Sequence, residues 1–167
     1  MSDFEFEEFT FFWNGPFSQW HACDFEVDGI EYNCAEQYMM AEKARLFGDE
    51  DTLERIMESG SPRTQKALGR VVDGFSKEVW EDDDTENGRP FCWNVVHAGN
   101  MAKFSQNEYL LDALLATGTT TLVEASPYDR IWGIGLAEGD PGCGSRDSWQ
   151  GLNWLGEVLI DVRERLR

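Results

Sequence analysis

The chemistry of this chain is concentrated between Ile30 and Phe47, IEYNCAEQYMMAEKARLF, where a carboxylate and an amine occupy the face of a helix that should be apolar. Met40, Ala44 and Phe47 fall at i, i+4 and i+7 and form one core-facing stripe. Glu36 and Lys43 lie on the same stripe. Two turns apart, roughly 10 Å along the axis, they are too distant to bond each other but can bracket a small polar ligand. A plainer reading stands beside this one. Asn33 and Glu36 have the Asn-x-x-Glu spacing of a capping box, so that Glu36 completes a cap, Lys43 lays its stem over Phe47, and Gly48 ends the helix in a left-handed turn.

Other residues carry chemistry less densely. Arg63, Lys66 and Arg70 give the segment after Ser61-Pro62 the highest local basic density, suited to phosphates or simply to a solvated face. Trp80 stands before the polar run EDDDTENG, either as a core plug or as an aromatic platform for a base. Asp129 follows a Ser-Pro turn and precedes Trp132-Gly133, and the segment GIGLAEGDPGCG can bring backbone amides close to a ligand. That segment has neither the Walker nor the dinucleotide spacing. The carboxylates Asp82 to Asp84 lack the alternation and terminal Glu of a calcium loop. Cys23, Cys34, Cys92 and Cys143 contain no C-x-x-C pair and only His21 and His97 could join them, so the expectation is four free thiols, no metal site and no cofactor.

The elements that must position these groups follow from period and punctuation. FEFEEFTFFW, from Phe4 to Trp13, is a strand that passes from half-exposed to buried. Phe25 and Val27 mirror Ile30 and Tyr32 about Asp28-Gly29, a two-residue hairpin that leads into the Asn33 cap. Helices are expected from Glu50 to Ser59 with Asp49 as cap, Leu53, Ile56 and Met57 inward and Gly60 as stop, and from Ser61-Pro62 through Ala67 and Leu68 to Gly69. A further helix runs from Pro90 to Phe104, and Asn107 caps the next, with Leu110, Leu111, Leu114 and Leu115 buried. TTLVEA is a short strand, and a last helix from Leu152 to Leu166 buries Leu155, Leu159, Val162 and Leu166 and places Arg163, Arg165 and Arg167 where they favour its dipole.

A chain of 167 residues supports one core, taken as a single domain over residues 1–167 with an acidic loop insertion around 81–89 and a Gly-rich loop around 133–148. The fold class is α+β, helix-rich with a small antiparallel sheet. No apolar run is long enough for a membrane span and no secretory start is present, so a cytoplasmic protein without membrane partners is expected. The formal charge of −18 repels phosphate backbones and argues against sequence-independent binding of nucleic acid, so a phosphorylated substrate must meet a local basic cluster. Few lysines on an acidic surface also suit a high-salt cytoplasm.

The blocks PFSQW, VDG-x-x-Y-x-x-x-E-x-Y, E-K-A, SP-x-x-x-K-x-LGR, Trp80, AKF-x-QN, LL-x-TG, LVEAS, D-x-x-WG-x-G and N-x-LG, in this order over about residues 9 to 167, resemble the NADAR or YbiA-like family. PFSQW replaces the family's usual Ser-Asn-Phe form, the usual methionine is missing from NVVHAGNMAKF, and DDDTENGRPFC and DPGCGSRDSW look inserted. The resemblance implies a YbiA-like α+β fold and an N-glycosidase that cuts a ribose–nitrogen bond. Two substrates are associated with the family: phosphoribosylamino-pyrimidine intermediates of riboflavin synthesis, and ADP-ribose attached to guanine bases, including those in nucleic acid. Motif by motif, the family's glutamate falls on Glu36, its tryptophan on Trp80 and its aspartate on Asp129, and Lys43 matches a family lysine. Ser18, Arg70, Lys103, Trp132, Gly133 and Asn153 stand in the matching blocks as substrate-binding residues.

These types suit the reaction. Breaking an N-ribosyl bond passes through an oxocarbenium-like centre, which a carboxylate stabilises while another group handles the departing amine. Asp129 is assigned to the sugar cation, Trp80 to stacking on the base, and Glu36 to ribose hydroxyls or protons. Lys43 offers a second route through a Schiff base with a ring-opened ribose C1. Two other readings compete: a non-catalytic domain that binds ADP-ribose or an NAD-like nucleotide, and an acidic decoy that mimics DNA. Because no ligand set for a metal is visible, EDTA should leave base release unchanged. Loss of turnover on chelation, restored by Mg²⁺, would make the Asp82 to Asp84 loop part of the site.

Overall fold

The computed structural model describes residues 6–167, so the first part of the expected N-terminal strand, Phe4 and Glu5, lies outside the described residues. The chain divides into two compact units, Gln19–Leu110 and residues 6–18 with Leu111–Arg167. Among the described residues no helix is long and apolar enough to cross a membrane.

The Gln19–Leu110 unit opens on the antiparallel hairpin β2 (Phe25–Val27) and β3 (Ile30–Tyr32), paired Phe25 with Tyr32 and Val27 with Ile30. Asp28 and Gly29 both take positive φ, 52° and 80°, as the two-residue turn that matches strand twist requires. Then come α1 (Ala35–Leu46), α2 (Glu50–Glu58), α3 (Pro62–Gly69), the single turn α4 (Lys77–Trp80) and α5 (Phe91–Gln106). The helix α1 is central, packing on α2, α3 and α5. It can approach closely because a Cβ on Gly69 of α3 would lie 1.9 Å from Met40 Sδ, and one on Gly99 of α5 would lie 2.6 Å from Tyr38 Cδ1. At its far end Gly48, φ +70°, lets the Asp49 amide reach the Ala44 carbonyl at 3.0 Å and the Gly48 amide reach Arg45 at 3.2 Å, the expected left-handed stop.

Asp49 caps α2 through the Thr52 amide at 3.0 Å, and Ser61 caps α3 through Thr64, with Pro62 in the first turn. The inward residues differ from the pattern. Thr52 and Ile56 are buried on α2 where Leu53 and Met57 are only half-buried, and on α3 Gln65 is enclosed while Ala67 is exposed. Polar side chains enter here because their hydrogen bonds are met, as the next subsection shows. On α6 (Glu108–Leu115) Leu110 and Leu114 are buried while Leu111 and Leu115 are half-buried, and the Asn107 amide before it donates to the Asp24 and Lys103 carbonyls.

In the other unit β1 (Phe9–Phe12) pairs in parallel with β4 (Thr121–Glu124), Phe9 opposite Thr121 through Phe12 opposite Glu124, so the antiparallel hairpin is joined in this fold by a two-stranded parallel sheet. Helix α7 (Trp154–Leu166) lies on β4 with Leu155, Val158, Leu159 and Val162 buried. Its approach is close: a Cβ on Gly156 would stand 2.1 Å from the Leu122 carbonyl oxygen. Arg163, expected to decorate the helix end, is instead 2% exposed and donates to Thr117 Oγ1 and the Thr120 carbonyl, each at 2.9 Å. The loop after α6 ends in carbonyls that need a donor, and a buried guanidinium supplies several.

Arg163→Met should therefore destabilise the protein by about 1.5–3 kcal/mol, whereas Arg165→Met, on the exposed side of the same turn, should stay within about 0.5 kcal/mol. Denaturant unfolding of the two variants separates a buried strut from a dipole partner, and equal effects would restore the dipole reading.

Candidate active site

The N-terminus of α1 is built by amides from three elements. Cys34 occupies the cap position in extended conformation and its side chain makes no capping bond. The acceptor that reaches back is Gln37, whose Oε1 takes the Asn33 amide at 2.8 Å, while its Nε2 donates to the Ile56 carbonyl at 3.1 Å. Asn33 does not cap with its side chain; it donates to the Ser59 carbonyl and accepts from Gln65 Nε2, both at 3.0 Å. Gln65 also donates to Ser59 at 2.8 Å and accepts from the Cys34 thiol at 3.1 Å. The expected capping box is thus corrected: the reciprocal partner of Asn33 is Gln37, four residues on, and not Glu36.

Glu36 is not the acceptor of the Asn33 amide. It is buried, 6% exposed, and its backbone amide donates to the Gln19 carbonyl at 2.9 Å. Lys43 is half-buried; its Nζ sits 4.2 Å from the centre of the Phe75 ring, itself packed on Phe47, and 6.0 Å from that of Trp80. Burial pulls the Lys43 amine below the ordinary lysine range, the Glu36 charge works against that shift, and the Arg70 guanidinium works with it. Glu36, Lys43, Arg70 and Trp80 therefore belong to one electrostatic neighbourhood in the Gln19–Leu110 unit. Trp80 is 7% exposed and packs on Phe91 with ring centres 6.0 Å apart.

Two further cationic groups mark this unit. Lys103 on α5 is enclosed completely, and burial brings its amine down to about 8, opposed by the nearby Cys23 and Cys34 thiols. Lys66 on α3 holds its amine 5.9 Å from the centre of the Trp20 ring, and Trp20 is one of the exposed aromatics. All four cysteines are free thiols, and burial raises those of Cys34 and Cys92 to about 11 and about 12. Among the described residues no cluster of three or more His, Cys, Asp or Glu side chains could hold a metal ion.

The other unit carries the remaining residues of the set. Asp129 Oδ1 accepts from the Ile131 amide at 2.9 Å and the Trp132 amide at 2.8 Å, which shapes the turn that presents its carboxylate. Trp132 is half-buried and meets Trp154 edge to face at 5.7 Å. Gly133 is buried where a Cβ would lie 3.0 Å from the carbonyl oxygens of both Asp129 and Glu124, so glycine lets this turn fold against β4. Asn153 stands at the start of α7 with φ 53°, takes the Glu124 amide on Oδ1 and donates to the Leu122 carbonyl, each at 3.0 Å. Its amide thereby completes the edge of β4, which makes it a positioning residue. Ser18 is half-buried and its backbone amide closes a turn onto Gly15 at 3.0 Å.

A NADAR domain model matches residues 10–167. The chain belongs to the NADAR family. It is 43% identical over 153 residues to the N-glycosidase R617 of Acanthamoeba polyphaga mimivirus, covering 89% of this chain and 85% of that one. To the N-glycosidase YbiA of Escherichia coli (strain K12) it is 32% identical over 152 residues, 91% of this chain and 81% of the relative. The NMR structure of the E. coli protein YbiA superposes with a TM-score of 0.74 at 29% identity, over 96% of this chain and 85% of that one, so the α+β architecture of this NADAR chain is that of YbiA.

The residues of this neighbourhood that motif reading missed are Gln37, Phe75, Gln19 and Asn100. Gln37 had a signal, four residues after Asn33 on the buried side of α1, and Asn100 had one as a polar residue among Val96, Lys103 and Phe104 on α5. Gln37→Ala should cost about 2–3 kcal/mol by leaving several buried groups unmet, whereas Glu36→Gln should move stability by less than about 1 kcal/mol. The reverse order in thermal or denaturant unfolding would return the capping role to Glu36.

Proposed function

We propose that this chain hydrolyses the C1–N bond of a phosphorylated N-ribosyl compound, with Glu36 and Lys43 as the catalytic pair. As a NADAR-family relative of two proteins named N-glycosidase, it is an N-glycosyl hydrolase. The observation that supports this pair is the burial of Glu36 in the first turn of α1, with its charge acting on an amine whose pKa burial has lowered. A buried carboxylate beside a depressed lysine provides an acid–base group and a nucleophile on one helix face.

In the route we favour, the ribose C1–O4 bond breaks with its electron pair on O4, which takes a proton from water, and the lone pair of the departing nitrogen makes C1 a protonated imine. The Lys43 amine adds to C1, Glu36 carries a proton from that amine to the departing nitrogen, and the base leaves with its bonding electrons while C1 remains joined to Lys43 as a Schiff base. Water then adds to C1, and its collapse releases the sugar aldehyde and restores the amine. Burial favours the neutral amine that the addition needs. Trp80 contributes a ring for the base, and Arg70 with the basic face of α3 is the local cluster where an otherwise acidic chain can meet phosphate. The substrates this chemistry admits are ADP-ribosylated guanine and the phosphoribosylamino-pyrimidine intermediates of riboflavin synthesis.

Base release from ADP-ribosylated guanosine and from the riboflavin intermediate, followed in parallel, identifies the substrate. On whichever is cleaved, Glu36→Gln should slow single-turnover release by about 10²-fold or more. Borohydride added during turnover should leave a reduced sugar adduct on Lys43. Full turnover with no adduct would move the reaction to direct hydrolysis, and saturable binding with no release from either compound would make the chain a nucleotide-binding domain.

A further inference from the structure

The basic face of α3, in the Gln19–Leu110 unit, has no acidic partner. Arg63, Lys66 and Arg70 fall at i, i+3 and i+7 and so share one side of the helix. Among the described residues none of the three side chains forms a salt bridge or a hydrogen bond, although the chain carries 32 acidic residues and Arg45, Lys77 and Arg165 are each paired with one. Arg63 and Arg70 are exposed and Lys66 is half-buried, so a ligand can reach them from solvent. Like charges at these spacings repel, and an anion supplied from outside the chain removes that repulsion.

An open aromatic ring borders the same face. Lys66 Nζ lies 5.9 Å from the centre of the Trp20 ring, and Trp20 is 39% exposed. An indole at the surface beside an ammonium is a platform on which a base stacks while its phosphate meets the cation. Inorganic phosphate would use the cations and leave the ring idle, and an apolar group would do the reverse. A nucleoside diphosphate uses both.

The placement of α3 ties this surface to the catalytic pair. Gln65 Nε2 donates to Asn33 Oδ1 at 3.0 Å, just before the first turn of α1, and Gly69 packs on Met40, so the two helices run side by side. Gln19 takes the Glu36 amide on its carbonyl at 2.9 Å, which starts the next residue, Trp20, beside the turn that carries Glu36. At the other end the Arg70 charge acts on the Lys43 amine. From Lys66 to Arg70 the axis advances about 6 Å, enough for two phosphates to be met in succession.

Resting on the N-ribosyl reading, we propose that Trp20 and Lys66 hold a second nucleoside of the substrate, joined through a diphosphate along α3 to the ribose at Glu36 and Lys43. Trp20 stacks on the second base, and Lys66 and Arg70 meet the diphosphate. Trp20 and Lys66 are thus substrate-specificity residues that select a ribosyl compound with a second nucleoside over one that ends in a single 5-phosphate.

Calorimetric titration of the full chain with ADP-ribose and with ribose 5-phosphate tests this. The native protein should favour ADP-ribose by at least about tenfold, the scale of one stacked base. In Trp20→Ala that preference should shrink to within about threefold through weaker binding of ADP-ribose, whereas Trp20→Phe should keep most of it. Lys66→Gln should weaken ADP-ribose binding by about fivefold or more, and it carries the test if Trp20→Ala fails to fold. Equal binding of the two compounds by the native protein, or a preference that survives in both Trp20→Ala and Lys66→Gln, overturns the assignment and leaves α3 a solvated face. Base release followed on the same preparations keeps the two readings apart. Release without any preference for ADP-ribose overturns this assignment alone. A preference that Trp20→Ala abolishes, with no release from either substrate, upholds the second-nucleoside site and overturns hydrolysis.

Discussion

The Gln19–Leu110 unit depends on how the first turn of α1 satisfies its backbone donors. A helix begins with amides that have no intrahelical acceptor, and in a buried setting each must find one. Here the Asn33 amide goes to Gln37 Oε1 and the Glu36 amide to the Gln19 carbonyl. Gln37 and Gln65 then tie the hairpin end to the carbonyls that close α2, through Ile56 and Ser59. The Asn33 amide is thus satisfied by a neutral amide and not by Glu36, the carboxylate of that first turn.

The same packing sets the character of the lysines. Glycines at 69 and 99 bring α3 and α5 against Met40 and Tyr38, and burial disfavours charge on Lys43 of α1 and Lys103 of α5. Lys103 is drawn down to about 8 by full enclosure. Lys43, lodged against Phe75 and less deeply covered, is drawn down with Glu36 opposing. A chain with formal charge −18 sets Lys43 of the central helix and Lys66 of α3 against aromatic rings.

The other unit solves a different problem with similar means. Its parallel pair β1–β4 has an edge that needs partners, and Asn153 supplies a donor and an acceptor to β4 in the place of a third strand. Arg163 does the same for the carbonyl at Thr120. Both are polar residues spent on architecture, and they free the Asp129 turn to be shaped by its own Oδ1 and by the absence of a side chain at Gly133.

The sequence by itself determined the order of elements apart from the single turn α4, the Asp28-Gly29 hairpin, the Gly48 stop, the Asp49 and Ser61 caps and the buried face of α7 up to Val162, with Leu166 only half-buried, because each depends on local sterics or on a repeat within a few residues. It also placed Glu36 and Lys43 on one face, since helical period alone decides that. Only the tertiary structure decided what surrounds those groups. Whether Glu36 or Gln37 satisfies Asn33 depends on carbonyls of α2 that lie some twenty residues away and favour an amide that can donate while it accepts. Whether Arg163 faces solvent depends on the loop it meets 43 to 46 residues earlier in the chain. Gln19 and Asn100, bonded to each other, stand 81 residues apart, and no local pattern can report a hydrogen bond that long-range packing makes.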